Sequence, residues 1–389
     1  MPMLRTRFFY PALLLLLAMA LPTHAEKNLA RPPGTTRYAP MLAQLQALLA
    51  YDKAQGTGRM ALSSLGRSVR GRDLWMVTLH EAAPVPAPDA DMPATDNASA
   101  APAASSQTPA SPPKRLFYLC RQHGHEPAST EAALQFITQL VRAAPGSPLA
   151  LDLQRVTVYV VPMANPDGAE AFLRHNAHDK DINRDWLRRT QPETRALYHA
   201  VATLRLDMMT DQHELYPDDT RPDFTETAGL GSGASSSLVQ TCDSAQAVVQ
   251  AAMQGAGCPT VSHLVTDHHP ARLAHRFGCI VAQVPTILFE TNRLTRLHRS
   301  VPARAQAHLQ FMVALLRDTA GERDTLLAEA AARSPLQGRR LSLLASRHMS
   351  APRSAPVRPS SSAPAATMPS PRSLGDEAAP PPPAAKDSE

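Results

Sequence analysis

The sequence predicts an α/β protein built on a mixed, mostly parallel twisted sheet flanked by helices. Three observations lead there. Apolar runs at 116–120, 156–161 and 285–289 have the length and the β-branched or aromatic content of strands buried on both faces. Stretches of helical period separate and follow these runs, at 129–144, 191–204 and 302–316. The runs deliver into polar residues able to do chemistry, and open α/β sheets gather their ligands at such strand ends.

Taken in order, the chain opens with Arg5 and Arg7, an apolar run over 8–21 and the small-residue site Thr23-His24-Ala25, the pattern of a signal peptide covering 1–25. Export to the periplasm or the medium follows from that reading, and no later stretch has the length of a stable membrane span. Met41, Leu42, Leu45, Leu48 and Leu49 recur with helical period over 38–51. Residues 61–66 and 73–79 read as two strands joined by a hairpin with Gly66 and Gly71. A segment rich in Pro, Ala and Ser then fills 82–113, and a similar tail fills 336–389; 18 of the 37 prolines fall within 82–113 and 351–389. Neither segment has apolar periodicity to offset the entropy of ordering, so both are predicted to be disordered, leaving one domain over 26–335. The insertion implies that Leu79 and Leu116 lie at neighbouring strand ends.

Beyond the strand at 156–161, residues 162–168 read as a loop. A helix opens at Gln191-Pro192-Glu193, with proline in its first turn. A strand at 207–209 leads into Thr210-Asp211-Gln212-His213-Glu214, residues 229–237 read as a mobile loop near the site, and the strand at 285–289 ends at Glu290. Helices at 302–316 and 323–333 close the domain.

The net charge of +5 comes from scattered Lys and Arg and offers no stripe for nucleic acid. Export permits disulfides among Cys120, Cys242, Cys258 and Cys279. Cys242 with Cys258, enclosing a loop-prone stretch, is the preferred pair.

His123 and Glu126 stand three residues apart at the end of a strand, a spacing that lets imidazole and carboxylate converge on one metal ion. His213 and Glu290 follow at later strand ends. Two histidines and one carboxylate leave zinc an open position for water, whose pKa the metal lowers to about 7, and a separate carboxylate can act as base. Glu290 is placed for that role. Arg184 and Arg174 bring planar cations for a substrate carboxylate or a developing oxyanion. His125 points away from the ligands, and Asp211 either orients His213 or is strand-end polarity. Arg67, Arg70 and Arg72 read as a solvated hairpin, and His175, His178, His268 and His269 as surface or substrate-lining.

With these parts assembled, the chain resembles the zinc carboxypeptidase family (the M14 metallopeptidases) over about 38–316, apart from the insertion. The resemblance rests on the order of Leu65-Gly66-Arg67-Ser68-Val69-Arg70-Gly71-Arg72-Asp73-Leu74, the pair His123 and Glu126, Asn165-Pro166-Asp167-Gly168, Asp181-Ile182-Asn183-Arg184, Asp211-Gln212-His213 and Phe289-Glu290. It implies the family's phosphorylase/hydrolase-like architecture, one zinc per chain held by His123, Glu126 and His213, and Glu290 as general base. It further implies Asn183 and Arg184 as binders of the C-terminal carboxylate of a peptide substrate, and Arg174 as the group that polarises the scissile carbonyl. In one respect the chain departs from the pattern. No tyrosine lies between Tyr216 and Glu290, where well-studied members close a tyrosine over the substrate carboxylate; His268 and His269 are the substitutes at hand. Two other readings share part of this pattern: a zinc deacylase of the aspartoacylase-like group and a non-catalytic peptide-binding protein. The motif from Gly66 to Leu74 speaks for the peptidase branch.

Overall fold

Strands β1 (Met60–Arg67), β2 (Asp73–Leu79), β3 (Lys114–Cys120), β4 (Val156–Val161), β5 (Met208–Glu214), β6 (Phe224–Ala228), β7 (Val261–Val265) and β8 (Thr286–Thr291) form one sheet in the order β1-β2-β4-β3-β5-β8-β6-β7. The computed structural model describes residues 29–81, 112–265, 271–293 and 299–333. The predicted signal segment, nearly all of the insertion, His268, His269 and the tail lie outside the described residues. Pairs β4–β3, β3–β5, β5–β8 and β6–β7 are parallel, while β1–β2, β2–β4 and β8–β6 are antiparallel. The mixed, mostly parallel sheet expected from the sequence is therefore present.

Its central strands are buried on both faces, which is why they read as unbroken apolar runs. Leu116, Tyr118 and Cys120 of β3 enter one core with Val156, Val158 and Val160 of β4, whereas Phe117 and Leu119 enter a second core with Val161 and Met209. Helices α1 (Tyr38–Gln55), α2 (Ala128–Val141) and α8 (Val301–Thr319) supply the first core through residues such as Leu45, Phe136 and Phe311. The Tyr118 hydroxyl donates to the Met312 carbonyl at 2.7 Å, so the polar end of a fully buried ring is satisfied. Trp186, Leu197 and Val201 fill the second core, the last two from α5 (Pro192–Thr203).

Four local expectations change. Strand β4 inserts between β2 and β3, so Leu79 and Leu116 are not neighbours but both pair with Val158. Residues Pro166–Ala171 form a short helix, α4, because the Asn165 side chain caps it by accepting from the Gly168 N–H at 2.9 Å. The stretch at 229–237 gives way to helix α6 (Ser236–Gly255), whose buried Leu238, Val239, Cys242 and Ala245 recur at helical spacing. Arg72 is no solvated hairpin residue, since it pairs with the buried Asp167 at 2.6 Å. Helices α3 (Pro148–Arg155), α7 (Ala274–Phe277) and α9 (Arg323–Arg333) complete the described elements. No helix among the described residues is long and apolar enough to cross a membrane.

Candidate metal centre

The loop after β3 turns sharply into the site. Arg121 takes a positive φ of 57°, and its fully buried guanidinium donates to the Gly124 carbonyl at 3.1 Å and to the Thr36 carbonyl at 2.8 Å. Gly124 lies against the backbone of Gly168; a Cβ on Gly124 would stand 1.9 Å from the Gly168 carbonyl carbon. Asn165 locks this crossing, its amide donating to the carbonyls of Gln122 and Arg174 at 3.2 Å each. Three separate motif segments are thereby held at one point.

His123, Glu126 and His213 converge there, with one ligand atom from each within 4.8 Å of the others. His123 Nδ1 is 2.9 Å from Glu126 Oε1, His213 Nδ1 is 2.9 Å from Glu126 Oε2, and the two Nδ1 atoms are 3.0 Å apart. Each histidine is braced from behind. His123 Nε2 meets Asp181 Oδ1 at 3.1 Å and His213 Nε2 meets Asp211 Oδ1 at 2.8 Å. A carboxylate on Nε2 favours the tautomer whose Nδ1 lone pair faces the centre. Two such nitrogens and one carboxylate are the donor set of an open zinc site, so the residues fit that metal.

The bracing groups are themselves anchored. Asp211 accepts from Gln122 at 2.6 Å, and Gln122 accepts from the Trp186 indole at 2.8 Å. Burial opposes ionisation of Asp211, but His213 and His275 outweigh it and hold the carboxyl below its usual range. Asp181 is likewise held well below that range, burial being overcome by His123, Arg174 and Arg184. Glu290 has no such support. Burial, with the nearby carboxylates of Glu126 and Asp211, pushes it up to about 7 against the pull of His213 and Arg221. Its Oε2 is closed off from solvent without a hydrogen-bond partner among the described residues.

A cavity of about 220 Å³ opens beside the cluster and is lined by His123, Glu126, Arg174, Asn183, Arg184 and Glu290 among others. All seven residues singled out from the sequence therefore meet at one place or border it. Arg174 is aimed by Asp181, whose Oδ2 accepts from Nε and NH2 at 3.0 and 2.9 Å. Arg184 is exposed, donates only to the Asn183 carbonyl at 3.3 Å, and makes no ion pair among the described residues. Asn183 is more committed: its Nδ2 lies 2.9 Å from His213 Nε2 and its Oδ1 accepts from the Ala274 N–H at 2.8 Å. His125 lies beside the centre rather than turned from it, its Nδ1 3.9 Å from Glu126 Oε1 and its ring edge-on to Tyr216 at 5.8 Å.

Sequence reasoning passed over Asp181 as the partner of His123 and Tyr216 as a wall of the cavity. Asp181 stands within the quoted motif, but nothing local distinguishes a carboxylate that caps its own turn from one that braces a distant imidazole; it does both, accepting from the Asn183 N–H at 2.9 Å. Tyr216 is 37% exposed at the mouth, with Arg174 and Arg293 over its ring at 5.4 and 5.9 Å. On the far wall Glu226 accepts from His275 and Arg276 at 3.0 and 3.3 Å.

Comparison with known proteins agrees with this geometry. Residues 46–214 match the family model for zinc carboxypeptidase. Carboxypeptidase 2 of Trichophyton rubrum is 33% identical over 110 residues, covering 28% of this chain and 20% of the relative. The zinc carboxypeptidase of Saccharothrix mutabilis subsp. capreolus is 29% identical over 137 residues, covering 35% and 25%. The matched regions thus span about a fifth to a quarter of these relatives. In fold the chain is similar to a metallo-carboxypeptidase from Burkholderia cenocepacia, with a TM-score of 0.53 at 21% identity over 72% of this chain and 70% of that one. A metallo-carboxypeptidase from Pseudomonas aeruginosa, solved with (2-guanidinoethylmercapto)succinic acid, gives 0.51 at 18% over 73% and 70%. The region at 46–214, which carries β3, β5 and the whole His123, Glu126 and His213 cluster, is thus similar to the zinc carboxypeptidase family.

Proposed function

We propose that the protein is a zinc-dependent metallocarboxypeptidase that removes C-terminal residues from peptides after export from the cytoplasm. The observation that carries this reading is the convergence of His123, Glu126 and His213 beside an unpartnered Glu290 oxygen in one cavity. Zinc held by those three residues supplies a Lewis acid at the head of the cavity. Glu290 takes the proton from the attacking water at Oε2 and returns it to the leaving amine, and its raised pKa suits it to both halves of that exchange. Arg174, aimed by Asp181, faces the carbonyl oxygen as negative charge develops. Arg184 holds the terminal carboxylate at the rim, since its guanidinium is uncommitted to any acid. Asn183, whose Oδ1 accepts from the Ala274 N–H at the start of α7, joins Arg184 at that carboxylate through its Nδ2 donor.

The test is a peptide library read by mass spectrometry with the purified, zinc-loaded chain. Stepwise loss of C-terminal residues is expected, with amidated peptides spared. Glu290→Gln is expected to lower turnover by about 10²–10⁴-fold while metal content stays at one zinc per chain. Arg184→Ala is expected to raise KM for free C-termini. Hydrolysis of N-acyl amino acids with intact peptides would replace this reading by the deacylase one. Tight peptide binding without cleavage would replace it by the binding protein. Export is checked by N-terminal sequencing of the mature protein, expected to begin at Glu26.

A further inference from the structure

Behind the far wall of the cavity two buried thiols share one apolar cluster. Cys279 sits in the π-helical turn Gly278–Ala282 between α7 and β8, and Cys242 lies on α6. Both are fully buried, in a small apolar cluster with Ala228 and Leu238. The Thr286 carbonyl at the start of β8 is 3.4 Å from the Cys279 sulfur and 3.9 Å from the Cys242 sulfur, so one carbonyl gathers both thiols. Cys258 is only half-buried and Cys120 belongs to the main core around β3, so the expected pairing of Cys242 with Cys258 is not the one the fold prepares.

We propose that Cys242 and Cys279 form a disulfide, a redox staple that fastens α6 to the turn behind the cavity wall. All four cysteines are thiols in the structure described, so an oxidant is required. A small disulfide such as oxidised glutathione serves. The Cys279 sulfur, as thiolate, attacks one oxidant sulfur and expels a glutathione thiolate. Cys242 then gives up its proton, attacks the Cys279 sulfur and expels the second glutathione. Two protein thiols are oxidised, one oxidant disulfide is reduced to two thiols, and the protein loses two hydrogen atoms. Contacts from the Cys242 thiol and the Thr227 hydroxyl lower the pKa of Cys279 against the effect of burial, which favours it as the first nucleophile. Because both sulfurs are closed to solvent, the exchange proceeds through transient opening of the contact between α6 and the turn, and the finished bond is shielded from reductants. The loop it closes contains β7, His275 and Arg276, and the latter two hold Glu226 at the cavity wall. The staple therefore acts on the wall and, through His275 at 3.8 Å from Asp211, on the brace behind His213.

The full chain, warmed to just below its melting transition with oxidised glutathione, would be denatured in N-ethylmaleimide, digested and mapped by mass spectrometry. A peptide linking Cys242 to Cys279 is expected, lighter by two hydrogens than the sum of its parts, with no other crosslink. The oxidised chain should melt about 5–10 °C above the reduced one, a difference that unfolding in dithiothreitol and refolding removes and Cys242→Ala lacks. Recovery of both cysteines alkylated, or a link from either to Cys258 or Cys120, overturns the proposal. The peptide map decides this on the unaltered chain whether or not Cys242→Ala folds.

Discussion

Asp181 and Asp211 stand behind the two ligand histidines in the same relation, each with an oxygen on the Nε2 of its imidazole. Neither touches the position of the metal, yet each fixes where a ligand lone pair points. Asp211→Asn would replace an ionised acceptor by an amide that must also satisfy Gln122 at 2.6 Å. Its zinc affinity is expected to fall by about 10–100-fold, measured by competition with a chromogenic chelator, with the far-ultraviolet circular dichroism unchanged. Unchanged affinity would mean that the braces only fill space. At this scale the ligands were legible because imidazole and carboxylate at fixed spacing leave a local pattern. The braces were less so. Asp211 and His213 are alternate residues of one strand and share a face, which spacing can reveal, but Asp181 reaches His123 across 58 positions of sequence.

Strands β3, β4 and β8 were readable from apolar content alone, and β5 only in part. Its seven residues are all buried, but from Thr210 to Glu214 they are polar and resemble a loop. They remain a strand because most find a partner elsewhere: Gln212 bonds His308 on α8 at 3.0 Å, and Glu214 accepts from the Ala128 N–H at 2.7 Å and pairs with Arg304. Partners so distant in sequence leave no trace in local composition. Helix α6 escaped notice for the opposite reason, since it opens on a Gly- and Ser-rich stretch and its small buried residues give only a weak stripe. The meeting of the β3–α2 loop with α4 yields a sharp prediction. Gly124→Ala puts a methyl 1.9 Å from backbone that cannot yield cheaply. Loss of both zinc binding and soluble expression is expected, with the melting temperature of any soluble fraction well below that of the parent; a normal melting curve and full zinc content would show that the loops can part.

At the scale of the whole molecule, the helix layer over the first core carries an unfavourable burial. Asp152 on α3 is fully buried, neither of its oxygens has a hydrogen-bond partner among the described residues, and burial with Glu322 nearby raises its pKa to about 6 against Arg317 and Arg155. For a carboxyl raised above its unfolded value of 3.8, stability is greatest below that value and is lost as pH rises through 6. Asp152→Asn should therefore melt above the parent at pH 7–8, and the gap should close toward pH 4; a gap constant with pH would trace the effect to packing instead. Calorimetry across that range measures it. The sheet register carries a further consequence. Leu79 and Lys114 flank the insertion, and pairing of β2 and β3 with β4 places both at the end of the sheet opposite the loop that bears His123 and Glu126, about 20 Å away along β3. Replacing residues 82–111 by a short Gly-Ser linker is expected to leave kcat/KM within about twofold, assayed on the same peptides. On that outcome this edge of the protein would be a permissive port, a place to nick, shorten or load the chain with cargo while the distant His123, Glu126 and His213 keep their positions.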